Sequence, residues 1–176
     1  MKKYLVVGNP IDHSLSPELH NFWIKDNNIN AIYEKRKLDN NEFNDLILDI
    51  KKNNIYGANI TVPFKKIVIP HLDQLSLESE NTQSVNTIYF KDKKIIGHNT
   101  DIEGFKRSIK DLNLNVQGKK ILILGAGGVV PSIIHVLNEM HASEIIISNR
   151  TKNTAEILKE LFKKLKIIGW GEVPDF

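Results

Sequence analysis

Cysteine is absent from the 176 residues, which excludes disulfides, thiolate nucleophiles and cysteine-ligated metals. Long apolar runs are absent as well. Met1 to Gly8 holds only the short run Tyr4 to Val7, and no stretch approaches the ~20 apolar residues of a membrane-spanning helix. Charge of one sign is also lacking: 24 Lys and Arg face 21 Asp and Glu, for a formal net charge of +3. The lysines are scattered through segments such as Lys35 to Lys37 and Lys163 to Lys166 rather than gathered in a stripe, which argues against nucleic acid. No internal repeat or low-complexity linker is present. What remains is an ordinary globular composition, 41% apolar and 26% charged. It predicts a cytoplasmic protein with no nucleic-acid or membrane partner and a mild bias toward anionic small molecules.

Along the chain, strand and helix signals alternate. Tyr4 to Gly8 reads as a short buried strand. Ser16-Pro17-Glu18 opens a helix with the apolar face Leu19, Phe22 and Trp23. Ala31 to Lys37 reads as a second strand, Asn41 to Lys52 as a helix with Phe43, Leu46, Ile47 and Ile50 on one face, and Gly57 to Val62 as a third strand. Asn86 to Phe90 and Lys94 to His98 flank the turn Lys91-Asp92-Lys93, which predicts a hairpin. A helix over Asp101 to Leu112 bridges into a second region. There the strand Lys119 to Leu124, a helix from about Val129, the strand Glu144 to Ser148, a helix over Lys152 to Lys164 and the short apolar run Ile167-Ile168 follow in turn. Parallel strands need helical crossovers, so the alternation predicts an α/β chain with parallel sheets. The expected organisation is an α/β substrate domain over 1–100, then a partial doubly wound, Rossmann-type dinucleotide domain over 101–176.

The second region is the more specific. Gly125-Ala126-Gly127-Gly128 directly follows the apolar strand Ile121 to Leu124 and precedes a helix. Glycines there let the backbone turn sharply and approach a pyrophosphate, while free amides at the helix start face it with positive potential. The third small position of the usual fingerprint is Val130, and Pro131 is harmless in a first helical turn. A tight glycine turn without a ligand is the alternative reading. At the next strand end an NAD site places an acid on the ribose 2′-hydroxyl. This chain has Ser148-Asn149-Arg150-Thr151 instead. A guanidinium suits a 2′-phosphate through its planar fork, so NADP is the expected cofactor, unless Arg150 is merely a surface residue near a helix start.

The first region must then hold the other ligand. Ser14 and Ser16 stand two apart, so in an extended segment their hydroxyls share one side and form a carboxylate site beside the Pro17 helix. Ser16 also reads as an ordinary helix cap. Asn59 and Thr61 share one face of their strand, and Lys65 follows just beyond its end in an otherwise apolar stretch. A lysine in that position is ordinarily a solvated one. What singles it out is Asp101, an acid able to sit at the mouth of the same cleft, unless it simply caps its own helix. A partly buried lysine beside a carboxylate can exchange a proton with a substrate oxygen, and the two titrations would be coupled.

Taken in order, H-S-L-S-P (His13 to Pro17), N-I-T-V-P-F-K (Asn59 to Lys65), S-V-N-T (Ser84 to Thr87), G-H-N-T-D-I-E-G-F (Gly97 to Phe105), G-A-G-G and S-N-R-T resemble the shikimate dehydrogenase family from Gly8 to Thr151. The resemblance implies NADPH-dependent reduction of 3-dehydroshikimate to shikimate in aromatic amino-acid biosynthesis. It implies Ser14 and Ser16 on the substrate carboxylate, Thr61, Asn86 and Asp101 on ring hydroxyls, Asn59 in support, and Lys65 as the acid-base group partnered by Asp101. Gly125, Ala126, Gly127 and Gly128 would meet the pyrophosphate, and Asn149, Arg150 and Thr151 the 2′-phosphate. The resemblance further implies a second nucleotide half and a returning C-terminal helical segment that these residues do not include. Gly169 to Phe176 reads as a linker into a further strand, so a truncated chain is expected. The alternatives are a quinate/shikimate dehydrogenase using NAD, and a non-catalytic fragment that binds shikimate or a nucleotide.

Overall fold

The apolar run near the start of the chain forms β1 (Lys2–Gly8), and its alternation decides what each side of the first sheet covers. Leu5 and Val7 join the cluster of Phe43, Leu46, Ile47 and Ile50, whereas Val6 joins Ile11, Tyr33 and Ile24. In the computed structural model, which describes residues 1–174, the chain divides into two units, Met1–Asn99 and Thr100–Phe176.

The first unit contains α1 (Ser16–Asp26), β2 (Ala31–Lys37), α2 (Phe43–Lys51), β3 (Gly57–Ile60), β4 (Gln74–Leu75), α3 (Leu77–Thr82), β5 (Thr87–Lys91) and β6 (Lys94–His98). Its sheet runs β2-β1-β3-β5-β6-β4. β1 is parallel to β2 and β3, while β5 runs antiparallel to β3 and to β6. The predicted hairpin is present. Its turn tightens to Asp92 and Lys93, both at positive φ (51° and 62°), the two-residue turn that matches the twist of paired strands.

Two expectations change in this unit, and one segment left without a reading gains structure. β3 ends at Ile60 rather than Val62 because the chain turns there, with the Phe64 amide donating to the Thr61 carbonyl at 2.8 Å. The segment between Val68 and Gln83, which carries no clear period, supplies a 3-10 turn at Ile69–His71, β4 and α3. Leu19, Phe22 and Trp23 are 49%, 63% and 47% exposed, so they are not the face by which α1 packs. That helix docks through other side chains: the His20 ring stacks on Tyr33 at 4.1 Å, and the Asn21 carboxamide pairs with both main-chain groups of Tyr33 at 2.9 and 2.8 Å.

The second unit contains α4 (Asp101–Asp111), β7 (Lys120–Leu124), α5 (Val130–Glu139), β8 (Glu144–Ser148), α6 (Lys152–Leu161) and β9 (Lys166–Ile168). The three strands form a parallel sheet in the order β7-β8-β9, with α5 and α6 as the crossovers. Ile123, Ile145 and Ile147 of the sheet pack with Ile102 and Ile109 of α4, Ile134 and Leu137 of α5, and Leu158 of α6. α6 stops at Leu161 rather than Lys164 because Phe162 (φ −117°, ψ 82°) leaves the helical region. Of the expected linker, Gly169 to Pro174 carries no strand, and residues 175 and 176 lie outside the described residues.

Candidate functional site

The order β2-β1-β3 has a chemical consequence. From β1 the chain crosses to β2 on one side and then returns to β3 on the other, so the carboxyl ends of β1 and β3 border a topological switch point. Such a point leaves a crevice where loops diverge. The Ser14–Ser16 segment follows β1, and Thr61–Lys65 follows β3. The two strand exits are tied together: the Thr61 amide donates to Val7 O, and the Asn9 amide to Val62 O, both at 3.0 Å. Gly8 permits that approach, since a Cβ there would lie 2.6 Å from Thr61 Cγ2 and 3.1 Å from Val62 O.

Ser14 and Ser16 are both half-buried at the start of α1. Ser16 is the first helical residue, not the cap; the hydroxyl engaging the helix start is that of Ser14, whose Oγ accepts from the Ser16 amide at 3.3 Å. Lys65 is half-buried in the turn after β3. Its carbonyl accepts from the Val85 amide at 2.8 Å, and the neighbouring Asn86 carbonyl accepts from the Ile60 amide at 2.8 Å. The exit of β3 and the entry of β5 are thereby laced together, which gathers Asn59, Thr61, Lys65 and Asn86 in one part of the first unit. Asp101 belongs to the second unit, where it is the first residue of α4. Thr100 takes the cap position, its side chain making no capping bond to the helix start, so Asp101 is a first-turn carboxylate at the positive end of the helix, not its cap.

Sequence reasoning assigned no role to Tyr33 and Thr87, which bond Asn59, or to His20 and Asn21, which hold Tyr33. The Tyr33 hydroxyl donates to Asn59 Oδ1 at 2.6 Å, and Asn59 faces Thr87 across the β3–β5 ladder. Tyr33 and Thr87 reach Asn59 through the register of strands β2, β3 and β5, which sequence periodicity does not supply. Burial of His20 lowers its pKa, so the folded state favours the neutral ring. The unfolded chain then binds more protons as pH falls through the ordinary histidine range. Stability is expected to be undiminished above that range and to drop as pH falls from about 7 toward 5, around the reference value near 6.5. Thermal melts of wild type and His20→Gln across that window check this. The wild-type curve should be the steeper, and parallel curves would remove His20 as the cause.

In the second unit, Gly125 adopts φ +102°, a backbone conformation that favours glycine, and its amide donates to Ser148 O at 2.8 Å. A Cβ on Gly125 or Gly127 would meet nothing within 4 Å, so the backbone of the turn borders open space. α5 begins at Val130, which is buried in the core and fills the place where a glycine or alanine usually lets helix and strand approach. Leu124 and Ser148 are partners across the β7–β8 ladder, so Gly125–Gly128 and Asn149–Thr151 emerge at the same end of this sheet. The Ser148 hydroxyl donates to Gly169 O at 2.9 Å, and Asn149 Nδ2 to Thr151 O at 2.7 Å. Arg150 and Thr151 are exposed at the start of α6. Among the described residues no group of three or more His, Asp or Glu is placed to hold a metal, and no helix is long and apolar enough to cross a membrane.

Two family models match the chain. "Shikimate dehydrogenase substrate binding domain" covers residues 6–88 and "Shikimate / quinate 5-dehydrogenase" residues 107–172. A shikimate dehydrogenase (NADP(+)) of Pelagibacter ubique is 59% identical, over 99% of this chain and 66% of its own. The enzyme of the same name from Clostridium perfringens is 37% identical, over 99% of this chain and 64% of its own. Among solved structures, shikimate dehydrogenase from Aquifex aeolicus superposes with a TM-score of 0.87 at 36% identity, over 96% of this chain and 62% of that one. The Thermus thermophilus enzyme, solved in complex with NADP(H) and shikimate, gives 0.83 at 30% identity, over 96% and 63%. The chain thus spans slightly less than two thirds of the relatives it matches. With the substrate-binding pattern on its first unit and the dehydrogenase pattern on its second, the chain belongs to the shikimate dehydrogenase family.

Proposed function

We propose that these residues serve an NADPH-dependent reduction of 3-dehydroshikimate to shikimate in the cytoplasm, residues 1–100 binding the substrate and 101–176 forming the first half of the NADP domain. The observation that carries this reading is the lacing of β3 to β5, which collects Asn59, Thr61, Lys65 and Asn86 beside the β1–β3 switch point. Ser14 and Ser16 hold the substrate carboxylate. Thr61 and Asn86 bind ring hydroxyls, as does Asp101. Lys65 supplies a proton to the carbonyl oxygen as it gains negative charge, and recovers one in the reverse direction with Asp101 as partner.

The positive φ of Gly125 and the open space beside Gly125 and Gly127 fit a pyrophosphate approaching the start of α5. Gly125 to Gly128 hold that group, and Asn149, Arg150 and Thr151 take the adenosine 2′-phosphate. When bound, NADPH supplies the hydride; the protein's part is to position it over the carbonyl carbon. The test is a steady-state assay of NADP reduction by shikimate, using a protein of the relatives' full length that carries these residues. Turnover with shikimate and NADP, with quinate or NAD much poorer, is expected. No turnover with any pairing would sink the reading, and a preference for NAD would transfer it to the quinate/shikimate alternative.

A further inference from the structure

A directed chain of hydrogen bonds runs through the first unit and ends on Asn86. The Tyr33 hydroxyl, on β2, donates to Asn59 Oδ1 at 2.6 Å. Asn59 Nδ2 donates to the main-chain carbonyl of Asn86 at 3.3 Å and to Thr87 Oγ1 at 3.1 Å. Thr87 Oγ1 in turn donates to Asn86 Oδ1 at 2.9 Å. A main-chain carbonyl only accepts, so the end of the Asn59 amide facing Asn86 O must be its nitrogen, and Oδ1 must face Tyr33. Thr87 has a single hydroxyl proton. It goes to Asn86 Oδ1, so the Asn86 carboxamide is held with its oxygen inward. One backbone carbonyl therefore sets the orientation of the Asn59 amide, and the Thr87 hydroxyl carries the series on to Asn86.

Tyr33 is suited to anchor the series. It is 5% exposed, its ring lies against His20, and Asn21 holds its main chain from α1. Burial pushes its hydroxyl pKa well above the ordinary value, so it remains a proton donor across the working range. Asn59 is thus held from both ends.

The geometry points to Tyr33 and Thr87 as positioning residues that act through this relay to present Asn86 to the ligand by its Nδ2 end, so that the ligand group met there must offer a lone pair. This rests on the proposed function only for the identity of the ligand. A ring hydroxyl can accept a hydrogen bond from that amide. A ligand with no oxygen at this position gains nothing from the relay, so the relay contributes to specificity.

The experiment is a double-mutant cycle in the full-length protein. Tyr33→Phe removes only the donor that anchors Asn59, and kcat/KM for shikimate is expected to fall roughly tenfold, mainly through KM. KM for NADP should stay within about twofold, since that site lies on separate elements. On an Asn86→Ala background the same substitution should cost less than about twofold further, because the group it orients is gone. Thr87→Val should reproduce the loss and Thr87→Ser, which keeps the hydroxyl, should restore activity, so the question is answered even if Tyr33→Phe folds poorly. An equal tenfold loss with and without Asn86, or full activity in both Tyr33→Phe and Thr87→Val, overturns the relay. An inactive wild type would instead sink the functional reading on which the ligand's identity rests.

Discussion

Replacing Lys65 by alanine in a protein of the relatives' full length that carries these residues is expected to cut kcat by about 10²–10⁴-fold, the usual range for a positioned acid-base group, while KM for shikimate rises only modestly. The asymmetry follows from what the ammonium does. In the proposed role it is, in the ground state, one hydrogen-bond donor among the several groups that would hold the substrate. At the transition state it would meet an oxygen that has become an incipient alkoxide, and its interaction would strengthen as that charge develops. The turn that carries Lys65 is held in place by main-chain bonds, the Lys65 carbonyl accepting from Val85 and the Phe64 amide donating to Thr61. Removing the side chain should leave the fold intact. Lys66, exposed on the same turn, is the control: Lys66→Ala should keep kcat within about twofold. Near-normal kcat in Lys65→Ala would remove the residue from the proton transfer, and a large rise in KM with kcat preserved would make it a binding group only.

The second large effect is expected at Arg150. A charge-assisted bond to phosphate contributes about 1.5–3 kcal/mol, so Arg150→Gln should raise KM for NADPH roughly 10–100-fold. NADH has no 2′-phosphate, so its weak use should barely change, and the preference between cofactors should shrink by nearly the whole factor. The exposed position of Arg150 adds a second signature. Salt screens an exposed pair, so the wild-type preference should weaken as ionic strength rises, and the variant should show little of that dependence. Equal losses with both cofactors would mean that Arg150 acts on the α6 start rather than on the phosphate.

Both predictions concern residues at the ends of strands that could be recognised in the chain. β8 has the bounds expected for it, because an apolar run bordered by polar residues marks a buried parallel strand; β2 also has its expected bounds, although it is an edge strand with only Tyr33 buried. Phe43, Leu46, Ile47 and Ile50 recur at helical spacing and are all buried. Short elements resisted this reading. β4 has two residues and α3 six, too few for any period to appear. α1 misled it, because Leu19, Phe22 and Trp23 recur at the right spacing while the helix actually docks through His20, Asn21 and Ile24.

Glycines before a helix, an arginine where an acid would mark NAD, and a lysine just past a strand are local features whose chemistry depends on residue type and spacing, so the sequence by itself determined the α/β class, the glycine turn and the candidate site residues. Hydrogen-bond direction is not local. Tyr33, Asn59 and Thr87 stand 26 and 28 residues apart and meet only because β2, β3 and β5 lie in one sheet in one register. A slip of one residue would turn each side chain to the opposite face. Only the tertiary structure decided how the Asn59 amide is turned, because that orientation depends on a single main-chain carbonyl brought beside Asn59 by the pairing of two strands, and it is through Thr87, opposite Asn59 in that pairing, that Asn86 is held by its oxygen.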